Sequence, residues 1–227
     1  MFEQAKKNAA VFASNLVSHG MNIGLGSGTT VYWLIRDLAE RVKQGLQIAV
    51  VTTSQETAHL AKAAGIRLAD LNEVDELPLT IDGADEIDPK GQLIKGGGGA
   101  LLQEKMVAAA SAKLIIIADS SKLVQQLGKF ALPVEVIPSG YMQVKKRILK
   151  AGVCKQIRLR KKDRDIFITD HQHYILDCEC EKIADPSSLN VSLHLIPGVV
   201  ETGLFIDMAN QAVIGHEDGR VEVINYR

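Results

Sequence analysis

What the 227-residue sequence has little of narrows its class first. Lys and Arg number 26 against 27 Asp and Glu, a net charge of −1, so no overall field draws the chain to polyanions or an anionic membrane, and a nucleic-acid coat is disfavoured. Long apolar runs are missing. The stretch Leu114-Ile115-Ile116-Ile117-Ala118 is among the longest, far short of the roughly 20 residues that span a bilayer. Three cysteines, Cys154, Cys178 and Cys180, make no even disulfide framework and suit a reducing compartment. Residues 1–20 lack the continuous apolar core of an export signal, so a cytoplasmic location is expected. No internal repeat or low-complexity segment occurs. What is present, 46% hydrophobic and 23% charged residues, is ordinary for a globular chain and excludes disorder as the main state. At roughly 150 residues per domain, the length corresponds to one main domain with a smaller companion.

Up to about residue 129, short apolar runs alternate with helical periodicity, the pattern of βαβ units and a parallel sheet. Strands are expected at 21–25, 48–52, 79–82 and 114–118, with helices at 5–17, 31–42, 54–64 and 100–112. The clearest amphipathic stripe is Val31, Leu34, Ile35, Leu38, Ala39 and Val42. Around Phe130 the pattern changes. A strand bracketed by Pro133 and Pro138, a helix at 141–151, strands at 154–160, 165–169 and 173–177, a helix at 185–194 and a strand from Ile196 give a β-α-β-β-α-β-like order. The expected architecture is α/β: a Rossmann-like parallel-sheet domain formed by 1–129 and 203–227, with a smaller ferredoxin-like α+β domain, 130–202, inserted before the last strands.

Glycine is unremarkable in number, 19 residues, but not in placement. The run Gly24-Leu25-Gly26-Ser27-Gly28-Thr29-Thr30 lies between a strand and the strongest helix, where bare backbone, helix-terminal N–H groups and three hydroxyls can hold a phosphate. No Lys follows as in a P-loop, and the third glycine comes too early for G-x-G-x-x-G; the alternative is a tight turn with a Ser/Thr cap. The segment Ile81-Asp82-Gly83-Ala84-Asp85-Glu86-Ile87-Asp88 places four carboxylates at the carboxyl end of a parallel strand, the edge where open α/β sheets bind ligands. Asp82 and Asp85 are near enough to exchange protons with sugar hydroxyls, the alternatives being a solvated acidic turn or a Mg²⁺ site. Lys95-Gly96-Gly97-Gly98-Gly99 opens a helix carrying Glu104. A cation beside bare amides suits a developing oxyanion, and Glu104 suits a general base or, alternatively, complements the helix dipole. Lys122, after the 114–118 strand, is placed to meet a phosphate or simply to be solvated. The basic stretch 155–165 has no interleaved aromatics and is expected to be a solvated turn. His171, His173, Cys178 and Cys180 are close in sequence, but the two cysteines alternate as one face of a strand, so no metal site is expected there.

Taken in order, GLGSGTT, TTSQET, IDGADEID, KGGGGALLQEK, ADSSK, LPVEVIP and IPGVVETGLF resemble the type A ribose-5-phosphate isomerase family over nearly the whole chain. The resemblance implies an aldose–ketose isomerase acting on a small phosphosugar through an enediolate, with no cofactor, no metal, no nucleic-acid or membrane partner, and a homodimer or homotetramer. By it, Glu104 shuttles the proton, Asp82 and Asp85 engage sugar hydroxyls, and Lys95 with the glycine amides steadies the enediolate. Substrate contacts fall to Ser27, Gly28, Thr29, Thr30, Asp82, Gly83, Ala84, Asp85, Lys95, Gly96, Gly97, Gly98 and Lys122. Two departures are visible: Ser27 stands where the family often has Thr, and a fourth glycine, Gly99, where Ala is common. The rival reading is a sugar-phosphate-sensing regulatory domain, for which the roughly twenty residues before the first strand leave no room for a DNA-binding helix-turn-helix extension.

Overall fold

In a computed structural model, which describes residues 2–227, the apolar runs of the first half become strands buried on both faces. Leu114–Asp119 is buried at every position, as a strand of a parallel sheet covered by helices must be. A seven-stranded sheet runs in the order Val221–Asn225, Ala209–Gly215, Leu114–Asp119, Thr80–Asp82, Asn22–Leu25, Ala49–Thr52, Arg67–Leu68. All neighbours are parallel except Val221–Asn225, which pairs antiparallel with Ala209–Gly215. The final strands thus return to the first sheet. The helix Thr29–Lys43 buries Val31, Leu34, Ile35, Leu38 and Ala39, the stripe its periodicity predicts. Val31, Leu34, Ile35 and Leu38 join Ile23, Leu25, Val50, Ile81, Ile117 and the alanines Ala9, Ala10 and Ala13 of the helix Glu3–Ser14 in one core. The compact unit built on this sheet comprises the chain through Ala84, Gln103–Lys122 and Met208–Arg227.

The other compact unit comprises Asp85–Leu102 and Leu123–Asp207, more of the chain than the expected 130–202. The reason lies in strand pairing: Leu93–Ile94 is bonded on one side to Glu86–Ile87 and on the other to Leu204–Phe205, a three-stranded sheet that draws both flanks in. Beside it, an antiparallel sheet has the order Val199–Thr202, Leu132–Val136, Tyr174–Glu179, Gln156–Leu159. With the helices Tyr141–Lys150 and Pro186–His194 between its strands, this is the expected split βαβ arrangement. Two details differ from expectation. Pro133 lies inside a strand, at its second residue, where its missing N–H is tolerated near the strand start. The strand expected at 165–169 shortens to Asp165–Ile166 and pairs only with Lys161–Lys162 in a separate hairpin, leaving four strands in the sheet. Cys178 packs into this unit's core, and His173 Nδ1 faces Glu135 Oε1 at 3.0 Å. Among the described residues no helix is long and apolar enough to cross a membrane.

Glu86, one of the four clustered carboxylates, is 3% exposed and accepts the backbone N–H groups of Gly128 (2.7 Å) and Phe130 (2.6 Å). Hydrogen bonds to a charged group contribute about 1.5–3 kcal/mol each. Glu86→Ala is therefore expected to cost about 3–6 kcal/mol, seen as a Tm lower by roughly 6–24 °C in a thermal melt.

Candidate active site

The first unit gathers its chemistry at the carboxyl ends of three adjacent strands, where the sheet order reverses between Asn22–Leu25 and Thr80–Asp82. Gly26 lies so close to the next strand that a Cβ there would sit 1.9 Å from Asp82 Oδ1 and 2.6 Å from Asp82 Cα. The missing side chain lets Asp82, 1% exposed, accept the N–H groups of Ser27 (3.1 Å) and Gly83 (2.7 Å) through Oδ1. The loop then turns at Gly28, φ 94°, into the helix Thr29–Lys43, whose N-terminus has neither a side-chain cap nor an acidic first-turn residue. Such an end attracts an anion. Lys6 donates to Thr29 Oγ1 at 2.9 Å, bringing a cation to the loop that the sequence reading missed; its only signal was a basic pair, Lys6-Lys7, near the start of the first helix.

The sequence-predicted residues do not all behave alike. Ser27 Oγ lies 2.7 Å from Thr53 Oγ1, 3.0 Å from Ser54 Oγ and 3.2 Å from Thr57 Oγ1, and Thr57 Oγ1 in turn donates to the Gly26 carbonyl. The Ser27 hydroxyl thus ties the loop to the segment TTSQET. Thr30 is buried, while Gly28 and Thr29 are exposed. Lys122 follows Asp119, whose carboxylate accepts the N–H and hydroxyl of Ser121, so it stands at the same strand edge.

Glu104 lies on the helix Leu101–Ala109 and is 6% exposed. Ser111, just past that helix, meets Thr80 Oγ1 at 2.6 Å, and Val107 packs where a Cβ on Gly24 would be. Stepping back one turn along the same face carries Glu104 past Val107 toward the carboxyl ends of the strands. The same edge therefore carries Asp82 and Glu104, two carboxylates held nearly out of water.

The second unit carries the other predicted residues. Asp85 Oδ2 accepts the Gly97 N–H at 2.8 Å, and a Cβ on Gly97 would come within 2.6 Å of that carboxylate. Lys95 is 2% exposed, its backbone N–H bonded to the Gly203 carbonyl at 2.9 Å and its ammonium 5.4 Å from the Phe205 ring centroid, in cation–π range. The glycine run turns back on itself through the bond from Gly99 N–H to the Gly96 carbonyl. Gly96 and Gly99 both take positive φ, 98° and 85°. At the fourth glycine the ring of Phe167 occupies the space a side chain would need.

The model of the family described as ribose 5-phosphate isomerase A (phosphoriboisomerase A) matches residues 49–219. The chain belongs to this family. It is 55% identical over 215 residues to the ribose-5-phosphate isomerase A of Bacillus cereus, covering 94% of this chain and 97% of that one. The solved ribose 5-phosphate isomerase A of Methanocaldococcus jannaschii superposes with a TM-score of 0.93 at 37% identity, covering 99% of this chain and 100% of that one. A D-ribose-5-phosphate isomerase solved in complex with phospho-erythronic acid superposes with a TM-score of 0.94 at 36% identity over 98% of both chains.

Within the isomerase family pattern, the local bonding divides two kinds of hydroxyl contribution at the loop. Ser27→Ala is expected to lower stability by about 1–2 kcal/mol while leaving KM for the substrate within threefold, measured by thermal melt and steady-state assay.

Proposed function

We propose that the chain interconverts D-ribose 5-phosphate and D-ribulose 5-phosphate through an enediolate, a reading supported by relatives named as ribose-5-phosphate isomerases. Burial of Glu104 and Asp82 at one strand edge, beside a loop built for an anion, is the observation that carries this reading. Isomerisation needs a base at the carbon-bound proton, a stabiliser for the developing oxyanion, a group to move the hydroxyl proton, and a grip on the phosphate. Each has its own candidate here.

The open-chain aldose binds with its phosphate against the N–H groups and hydroxyls at Gly28, Thr29 and Thr30, with Lys6 and Lys122 supplying positive charge. Asp82, Asp85 and the backbone at Gly83 and Ala84 engage the hydroxyls and assist ring opening. Glu104 removes the proton from C2; the electron pair forms the C1–C2 double bond, and the C1 carbonyl oxygen becomes the enediolate oxygen. Lys95 and the amides following it stabilise that oxygen. After the hydroxyl proton moves from O2 to O1, Glu104 returns its proton to C1 and the ketose is formed. Atoms balance without an external oxidant or reductant. Phospho-erythronic acid, present in one solved relative, carries a planar anionic carboxylate next to a hydroxyl and so resembles an enediolate more than it resembles either sugar.

The regulatory reading has no observation in its favour, since the relatives compared are named as isomerases. A cytoplasmic location and assembly into a homodimer or homotetramer complete the proposal; light scattering on the purified protein should give two or four times the 24.6 kDa chain mass.

The decisive assay follows ketose formation from ribose 5-phosphate with a chelator present. Wild type is expected to be fully active, and Glu104→Gln to lose about 10²–10⁴-fold in kcat with little change in KM. Full activity in the variant would remove Glu104 as the base, and strict inhibition by chelator would turn Asp82 and Asp85 into metal ligands. In the same assay Lys6→Ala should raise KM roughly tenfold, the loss of about 1.4 kcal/mol of phosphate binding, with kcat held within threefold.

A further inference from the structure

The basic stretch at 155–165 was expected to be a solvated turn, and Lys155, Arg158, Lys161, Lys162 and Arg164 are indeed exposed. Arg160 is not. Its side chain is 12% exposed and folds back onto the glycine run. Nη1 donates to the Gly96 carbonyl at 2.6 Å and to the Gly97 carbonyl at 3.2 Å. Nε donates to Asp177 Oδ2 at 3.0 Å and Nη2 to Asp177 Oδ1, a two-pronged pairing that fixes the plane of the guanidinium. Its Cζ lies 6.0 Å from the ring centroid of Phe167, the same ring that fills the space beside Gly99.

A trans peptide is planar, so its C=O and N–H point in opposite directions. Drawing the carbonyls of Gly96 and Gly97 toward Arg160 therefore turns the N–H groups of Gly97 and Gly98 the other way, and the Gly97 N–H is found on Asp85. Glycine peptides have no side chain to hold such an orientation. A cation on a peptide carbonyl also polarises the peptide and strengthens its N–H as a donor.

Resting on the enediolate role given above to Lys95 and the amides after it, we infer that Arg160 is a positioning residue for the isomerisation. Anchored by Asp177, it orients the Gly96–Gly98 peptides so that the Gly97 N–H is held on Asp85 and the Gly98 N–H is presented to the developing oxyanion. Its contribution falls on the transition state and leaves substrate binding nearly untouched, because the phosphate is gripped elsewhere.

The test compares Arg160→Ala, Arg160→Lys and Asp177→Asn with wild type. Arg160→Ala is expected to lower kcat about 10- to 100-fold, less than the roughly 10²–10³-fold cost of deleting an oxyanion donor, with KM within threefold. Affinity for phospho-erythronic acid should fall in parallel with kcat, while affinity for inorganic phosphate holds. Arg160→Lys, which keeps the charge and one donor, should recover part of the loss. Asp177→Asn, which keeps Arg160 but weakens its anchor, should lie between wild type and Arg160→Ala. A folded Arg160→Ala protein with unchanged kcat would overturn the inference, as would a rise in KM in place of the fall in kcat, or equal loss of both ligands.

A second readout needs no turnover. In the substrate-free protein, the Gly97 and Gly98 amides should show NMR order parameters near the rigid value of about 0.85, falling below about 0.6 in Arg160→Ala; equal values in both proteins would overturn the inference. An inactive wild type with these order parameters would instead overturn the isomerase reading and leave the strut in place.

Discussion

Two aspartates, each holding a length of backbone that has no side chain in the way, set the terms for everything else in this protein. Asp82 takes the N–H groups of Ser27 and Gly83, and does so only because Gly26 leaves the space that a Cβ would share with its carboxylate. Asp85 takes the N–H of Gly97 under the same condition. A carboxylate with reduced access to water needs protein hydrogen-bond donors, and a glycine loop needs an external partner to stay in one shape. Each supplies what the other lacks. The strand Thr80–Asp82 delivers Asp82 to the sheet edge, so the parallel sheet fixes the carboxylate and the carboxylate fixes the loop that caps the neighbouring strand.

This dependence explains what could be read from sequence. The parallel sheet was legible because burial on both faces leaves continuous apolar runs, of which Leu114–Asp119 is the plainest, and the stripe on Thr29–Lys43 was legible because one face packs on that sheet. The glycine clusters and the acidic segment announced themselves, since both are costly unless used. The fate of individual polar side chains was much less visible. Glu86 sits among the clustered carboxylates and looks in sequence like Asp82 and Asp85, yet it is turned to the 128–130 loop. The Ser27 hydroxyl, expected from sequence to contact substrate, bonds to Thr53, Ser54 and Thr57, some thirty residues away. Lys6 and Arg160 were missed for the same reason. Their partners lie 23 and 64 residues distant, a separation over which local pattern carries no information.

The boundaries of the smaller unit illustrate the same limit from the backbone side. A change of pattern near Phe130 marks where the antiparallel sheet begins, but pairing assigns Asp85–Leu102 to that unit as well. Leu204–Phe205, which looked like one more strand returning to the first sheet, pairs with Leu93–Ile94 instead. The segment it joins leads directly into Lys95. Pairing across such a distance orders the approach to the glycine run from both ends, with the Lys95 N–H fixed by Gly203 and the Asp85 N–H by Ile94.

Four consecutive glycines carry an ordering cost of about 2–4 kcal/mol relative to alanine, and a run of that kind persists in one conformation only if its neighbours over-determine it. A single charge-assisted hydrogen bond contributes about 1.5–3 kcal/mol, so one anchor would barely offset the cost. The run has several: Asp85 on an N–H, Arg160 on two carbonyls, the internal turn from Gly99 to Gly96, and Phe167 packed against Gly99. Donor groups arranged before the substrate arrives do not have to be reorganised as charge develops, which is where such sites gain over water. In the proposed mechanism, an anchor placed behind the carbonyls accomplishes this without occupying the opposite face, to which the N–H groups turn. The basic stretch that carries Arg160 thereby has one residue bonded to the glycine run while its other basic residues are left to solvent.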